Sequence, residues 1–252
     1  MIKINKERAI IIGDIHGCVD ELKSLLDKLN IDNTKDELYS VGDIVDRGPD
    51  PLGCFELLLQ NNSKFIMGNH EDKMLRWIEH NERQNKLGIE NPMRRVDQKT
   101  KNEYLSFSNE LIEKISKFEM YMKIGEYNGN DIIICHGGFE PAKKIKDQQY
   151  KKVIRARYVD KNGYMISVDN PIQVPPGGIL WNESWPGPQS VIFGHNILSE
   201  DKPVIRKENN FFVASIDTGC VFGGHLTALI LENNSNELKF EQIKSYKKYY
   251  NY

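Results

Sequence analysis

No stretch of this 252-residue chain approaches the roughly 18 consecutive apolar residues of a membrane span, and mean hydropathy is -0.54. No helical span is therefore expected, and no membrane partner. An excess of one charge sign is also missing. Lys and Arg number 34 against 36 Asp and Glu, a formal net charge of -2. Such a chain exerts no global pull on a phosphate backbone, so general nucleic-acid binding is not expected, although a local basic groove stays open. Cysteine is scarce. Cys18, Cys54, Cys135 and Cys220 are scattered and form no Cys-x-x-Cys pair, so reduced, buried thiols are expected rather than a disulfide scaffold. The first eight residues mix Lys, Asn and Glu and lack signal-peptide architecture, which points to a cytoplasmic location. Repeats, low-complexity tracts and a clean linker are absent as well. One domain over residues 1–252 is the economical reading.

What is present alternates between short apolar runs and helical periodicity. Ala9 to Gly13 reads as a buried strand, and Leu22, Leu25, Leu26 and Leu29 then follow at helical spacing. Glu37 to Gly42 is a second strand, and Asp50-Pro51 opens a second helix with an acceptor and a proline in its first turn. Lys64 to Met67 is a third strand, and Glu71 to His80 is helical. This pattern predicts an α/β protein with parallel strands. Asn81 to Tyr104 is polar and charged, and reads as a solvated insertion or a substrate-facing cap at about 81–105. Ser108 to Phe118 is a further helix. Strands are expected at Asp131 to Cys135, Val191 to Phe193, Phe211 to Ile216, His225 to Leu231 and Leu238 to Ile243. Tyr150 to Trp185 reads as irregular, within a variable loop region of about 150–188, and the Lys/Tyr-rich tail from Lys244 to Tyr252 as frayed.

Five strand ends carry the chemistry. They read GDIHG (Asp14, His16), GDIVDRG (Asp43, Asp46, Arg47), GNHE (Asn69, His70), CHGG (His136) and FGHN (His195). Strand ends are where α/β folds build sites. Adjacent glycines let the backbone turn and let a ligand approach. Oxygen and imidazole donors without thiolate suit Mn²⁺, Fe, Zn²⁺ or Co²⁺ better than a structural cysteine zinc. Any one motif alone is equally a capped loop, a turn or a surface salt bridge; five in series after apolar runs are not.

In this order the motifs resemble the calcineurin-like metallophosphoesterases of the phosphoprotein-phosphatase-type branch, from about Ile10 to Leu231. The resemblance implies an α/β, four-layer fold: a central β-sandwich of two mixed sheets flanked by helices. It implies two divalent cations, manganese first, with iron, zinc, cobalt or nickel as alternatives. One would be held by Asp14, His16 and Asp43, the other by Asp43, Asn69, His136 and His195, with Asp43 bridging. Two cations about 3.5–4 Å apart can share a hydroxide that attacks phosphorus in line. Arg47 would bind phosphate, along with Asn69, and His70 would protonate the leaving oxygen, oriented by Asp46. Asp46 could alternatively cap the following helix. In VIRARYVD, Arg157 is favoured as a second phosphate contact. Arg155 shares its strand face if the segment is extended, or forms a salt bridge.

The segment IDTGCVFGGHLTALIL resembles symmetrical bis(5'-nucleosyl)-tetraphosphatases and their bacterial relatives, in which dinucleoside tetraphosphate gives nucleoside diphosphate. Asp217 would lie near the metal loops or hold a β-turn. His225 reads as a strand-edge residue and His80 as an exposed helix-end residue. Trp181 and Trp185 could stack on a base or pack a loop. The leading expectation is a metal-dependent phosphohydrolase of nucleoside polyphosphate anhydrides. The alternative is a serine/threonine or dual-specificity protein phosphatase, so the partner is a phosphorylated small molecule or a phosphoprotein. Capped RNA and polyphosphate are also substrates within the group. A catalytically silent phosphate-binding protein predicts a broken ligand, and none is broken.

Overall fold

The computed structural model describes residues 1–167 and 173–251. Pro171, within the stretch expected to be irregular, and Tyr252, at the end of the tail, lie outside the described residues.

Two large sheets face each other. The first runs through β2 (Arg8–Ile12), β3 (Asp36–Ser40) and β4 (Lys64–Phe65), all parallel, and is completed by antiparallel β13 (His225–Glu232) and β14 (Leu238–Lys244). The second has a parallel centre of β6 (Asn130–Cys135), β10 (Ser190–Phe193) and β12 (Phe212–Ser215). Antiparallel β1 (Ile2–Ile4), β5 (Tyr121–Tyr127) and β11 (Val204–Lys207) extend it. These three strands carry too many polar residues to read as apolar runs.

The strand alternation builds four layers. Ala9 and Ile11 of β2 meet Ile132 and Ile134 of β6 between the sheets. Their neighbours point away. Ile10 and Ile12 pack under α1 (Val19–Leu29), on Leu22, Leu25 and Leu26, and under α2 (Pro51–Gln60), on Phe55. Ile133 and Cys135 pack on Phe139, Trp181 and Trp185. Both faces of the central strands are thus buried, which is why they read as continuous apolar runs. The expected mixed β-sandwich with flanking helices is present.

Local chemistry sets the helix starts. Asp50 Oδ1 accepts the Gly53 N–H at 2.8 Å with Pro51 in the first turn, and Ser108 Oγ accepts the Leu111 N–H at 3.2 Å to open α5 (Asn109–Ser116). α3 spans Asn69–Leu87, so the helical reading through His80 was too short. His80 is therefore half-buried in mid-helix rather than exposed at an end. The region expected as a polar insertion holds the last turns of α3 and most of α4 (Gln98–Ser106), with Asp97 as its cap. The Tyr150–Trp185 stretch is not wholly irregular. It contains α6 (Tyr150–Val153), α7 (Trp181–Ser184) and a small sheet of β7 (Tyr158–Val159), β8 (Met165–Ile166) and β9 (Ile179–Leu180). Two-residue strands are too short to leave a period in the sequence.

The tail is not frayed. Buried Glu21 accepts from the Tyr246 N–H at 2.8 Å and the Tyr249 hydroxyl at 2.9 Å. The Tyr249 and Tyr250 N–H groups both reach the Val221 carbonyl at 3.0 Å. All four cysteines are free and buried.

Candidate metal and phosphate site

The loops that leave β2, β3, β6 and β10 converge at one edge of the sandwich. His16, Asp43, Asp46, Arg47 and His195 all have positive φ, between 46° and 73°. Non-glycine residues rarely adopt this conformation, and it recurs where a site fixes side chains against backbone preference. Close approach explains two of the motif glycines. A Cβ on Gly68 would lie 2.3 Å from Asp43 N and Oδ1, and one on Gly194 would lie 2.0 Å from Asp14 Oδ1.

Asp43 is the centre. Its Oδ2 lies 3.5 Å from His16 Nε2 and 3.9 Å from His70 Nε2, while its Oδ1 lies 3.2 Å from His136 Nε2. Donor atoms of His16, Asp43 and His70 lie within 4.8 Å of one another, as do those of Asp43, His136 and His195. Asn69 Oδ1 is 3.0 Å from His136 Nε2. One buried carboxylate therefore serves two sets of nitrogen and oxygen donors. Asp14 stands behind them, with both carboxylate oxygens 3.0 Å from the His195 N–H.

The imidazoles are oriented from behind. His16 Nδ1 faces the Val45 carbonyl at 2.8 Å, and His136 Nδ1 faces the Val41 carbonyl at 2.8 Å. This leaves each Nε2 turned toward Asp43. Burial, with the Arg47 cation, holds His16 well below the ordinary histidine range; burial, with the Arg157 cation, does the same to His195. A lowered value favours the neutral imidazole, the form that ligates metal. Burial works against ionisation of Asp43, but His136 and His70 outweigh it and hold the carboxyl well below its usual range. Burial would lower His136, yet the Asp43 charge raises it, so this pair draws positive charge into the space between them. Burial, and then the charges of Asp217 and Asp43, push Asp14 well up. A cluster of buried carboxylates and imidazoles fits divalent cations.

Beside the cluster, His70 Nδ1 meets Asp46 Oδ2 at 2.5 Å. Asp46 also accepts from Lys73 Nζ at 2.8 Å and from the Tyr104 hydroxyl at 2.6 Å. Burial opposes the Asp46 charge, but His70 and Lys73 hold it well below the usual carboxylate range. Arg47 Nη1 donates to His16 Nε2 at 2.6 Å. Arg47, Arg155, Arg157, Asn69 and His70 line one open cavity of about 520 Å³. Arg157 donates to Asn196 Oδ1 at 2.7 Å. Arg155 follows a helical turn rather than lying on a strand, and its Nη2 meets Asp72 Oδ2 at 2.5 Å.

A family model for calcineurin-like phosphoesterases matches residues 7–229. The chain belongs to the calcineurin-like phosphoesterase family. A bis(5'-nucleosyl)-tetraphosphatase PrpE, designated asymmetrical, from Oceanobacillus iheyensis is 31% identical over 232 residues, 86% of each chain. A symmetrical bis(5'-nucleosyl)-tetraphosphatase from Cellvibrio japonicus is 25% identical over 265 residues, covering 89% of this chain and 95% of that one. A crystal structure provisionally assigned as a diadenosine tetraphosphatase superposes with a TM-score of 0.73 at 23% identity, covering 97% of this chain and 96% of that one. A protein serine/threonine phosphatase from Saccharomyces cerevisiae gives 0.55 at 16% identity, covering 96% and 81%. At these identities the two structures speak to the fold alone.

Several residues of this phosphoesterase were not singled out from sequence. Glu71 is fully buried and accepts the N–H groups of Asp43, Ile44, Val45 and Gly68 at 2.7 to 3.1 Å. It ties the second motif loop to the third. The available signal was its place three residues into α3, where an acidic side chain reaches back to the helix start. Tyr104, Lys73, Asp72 and Asn196 gave no signal, since each acts across a long sequence separation. Asp217 holds a turn by accepting the Gly219 N–H at 3.0 Å and lines a second cavity with Arg47 and Arg157. His225 is at the start of β13, its Nδ1 2.7 Å from the Glu200 carbonyl. Trp181 and Trp185 are buried edge-to-face with each other, Trp181 also edge-to-face with Phe139 and Phe193 and Trp185 tilted on Phe139, so both pack the fold.

Proposed function

We propose that this phosphoesterase hydrolyses bis(5'-nucleosyl) tetraphosphates at a dinuclear metal centre, releasing nucleoside triphosphate and nucleoside monophosphate. The single observation that carries the metal reading is the Asp43 carboxylate, which offers one oxygen to His16 and the other to His136. His16, Asp43 and Asp14 would hold one cation; Asp43, Asn69, His136 and His195 would hold the other, with manganese first. Bound there, divalent cations neutralise phosphate charge and lower the pKa of water. The substrate class is supported by the relatives' names, and the asymmetric split by the designation of the relative at 31% identity.

The chain's own groups do the rest. Arg47 and Arg157 bind the phosphate oxygens from two sides of the cavity. His70, with Nδ1–H held by Asp46, carries a proton on Nε2 and gives it to the departing oxygen. Asp46 stays ionised and stabilises the imidazolium.

The test is chromatographic product analysis with manganese supplied and a chelator control. Diadenosine tetraphosphate, a capped RNA oligomer and a phosphothreonine peptide are offered at equal concentration. ATP with AMP from the dinucleotide is expected. ADP alone would make the split symmetric, and faster phosphate release from the peptide would make the groove one for protein.

A further inference from the structure

Among the described residues, Arg47 also lines a smaller cavity beside the one described above. It encloses about 340 Å³ between α4 and the segment after β14, and is lined by Asp46, Arg47, His70, Lys73, Lys99 and Tyr250, among others. His70 lines it, as it lines the larger cavity. Its walls set Arg47, Lys73 and Lys99 against the carboxylates of Asp46, Asp97 and Glu103, with Tyr249 and Tyr250 beside them. Among the described residues, the Lys99 Nζ contacts are long, 3.4 Å to the Arg47 carbonyl and 3.3 Å to that of Gly48. Tyr250 is held by its N–H on the Val221 carbonyl at 3.0 Å and lies edge-to-face on Phe222 at 6.1 Å. The Arg47 guanidinium sits 5.1 Å from the Phe222 ring and 5.8 Å from the Tyr250 ring. Even so held, Tyr250 is 47% exposed. A half-exposed aromatic ring held at its backbone, beside an arginine of the candidate phosphate site and a loosely engaged lysine, matches a nucleotide's flat base and its phosphate.

We propose that this cavity receives the departing nucleotide, with its base stacked on Tyr250 and its phosphate end between Arg47 and Lys99. The inference rests on the phosphohydrolase reading, because His70 defines which side is the leaving side. It gives the segment after β14 a role in substrate binding. The anchoring of Tyr249 and Tyr246 on Glu21 then pre-orders the platform, so less ordering is left for the ligand to impose.

The test compares AMP with ribose 5-phosphate, which differ only by the base, in calorimetric titrations of the manganese-loaded protein. Stacking predicts that the wild type prefers AMP by on the order of tenfold. Tyr250→Ala should bring the ratio near one, and Tyr250→Phe, which keeps the ring, should restore it. Equal affinities in the wild type would overturn the proposal. So would a Tyr250→Ala protein that keeps the preference, since the base would then sit elsewhere. The functional reading fails separately: an AMP preference that depends on Tyr250 in a protein unable to cleave the dinucleotide would leave the subsite standing and remove the assigned substrate.

Discussion

His70 and Asp46 are joined by a 2.5 Å contact between Nδ1 and Oδ2, and the opposite oxygen of the same carboxylate takes the Tyr104 hydroxyl at 2.6 Å. The carboxylate is thus clamped from both sides, and the imidazole presents Nε2 toward the cavity. If that nitrogen protonates the leaving oxygen, His70→Asn should lower kcat by about 10²–10⁴-fold on diadenosine tetraphosphate while bound metal is unchanged. The loss should be larger on phenyl phosphate, whose phenolate is a basic leaving group, than on p-nitrophenyl phosphate, whose phenolate is not. Equal losses on both substrates would remove His70 from the acid role.

The two late arginines should separate. Among the described residues, the Arg157 guanidinium hydrogen-bonds the neutral Asn196, whereas one end of Arg155 is committed to Asp72, which also accepts from Arg76 at 3.0 Å. Arg157→Ala should reduce kcat/KM by about 10- to 100-fold, the worth of a charged hydrogen bond, with KM rising. Arg155→Ala should cost less. Steady-state kinetics on the dinucleotide checks the order, and the reverse ranking would reassign the phosphate contact.

Away from the site, Arg8 grips Asp36 through two nitrogens, at 2.7 and 2.5 Å, and pins β2 to β3. Burial works against the Asp36 charge, but the Arg8 hydrogen bonds hold its carboxyl below the usual range. A lowered folded pKa gives stability that is present above the unfolded value of about 3.9 and lost as pH falls through the folded value. Asp36→Asn should therefore destabilise the fold by about 1–3 kcal/mol at pH 7. The gap to wild type should start to narrow at about pH 4 and close only as pH falls through the lower folded value. Urea unfolding at pH 7 and at a series of pH values below about 4 measures it; a gap independent of pH would contradict the ionic account.

The sequence was most legible where function and local structure coincide. Asp14, His16, Asp43, Asn69, His136 and His195 each follow an apolar strand and stand beside a glycine, so strand end and ligand type were read together. Residues whose roles depend on distant partners stayed hidden. Tyr104 reaches Asp46 across 58 residues and Tyr249 reaches Glu21 across 228, and no local pattern marks either. A Lys/Tyr-rich end reads as solvated because nothing nearby in sequence shows the buried carboxylate that anchors it. The two tryptophans were ambiguous for a related reason. A large aromatic serves a base or a core equally well until its neighbours are known, and here Phe139 and Phe193 enclose them.

The central claim is that one carboxylate, Asp43, serves two cations. Metal content by plasma mass spectrometry, on wild type and Asp43→Asn purified with manganese, tests it most directly, with circular dichroism to verify folding. The account predicts about two ions per wild-type chain and loss of both from the variant. One ion per wild-type chain, or a folded variant that keeps two, would contradict it.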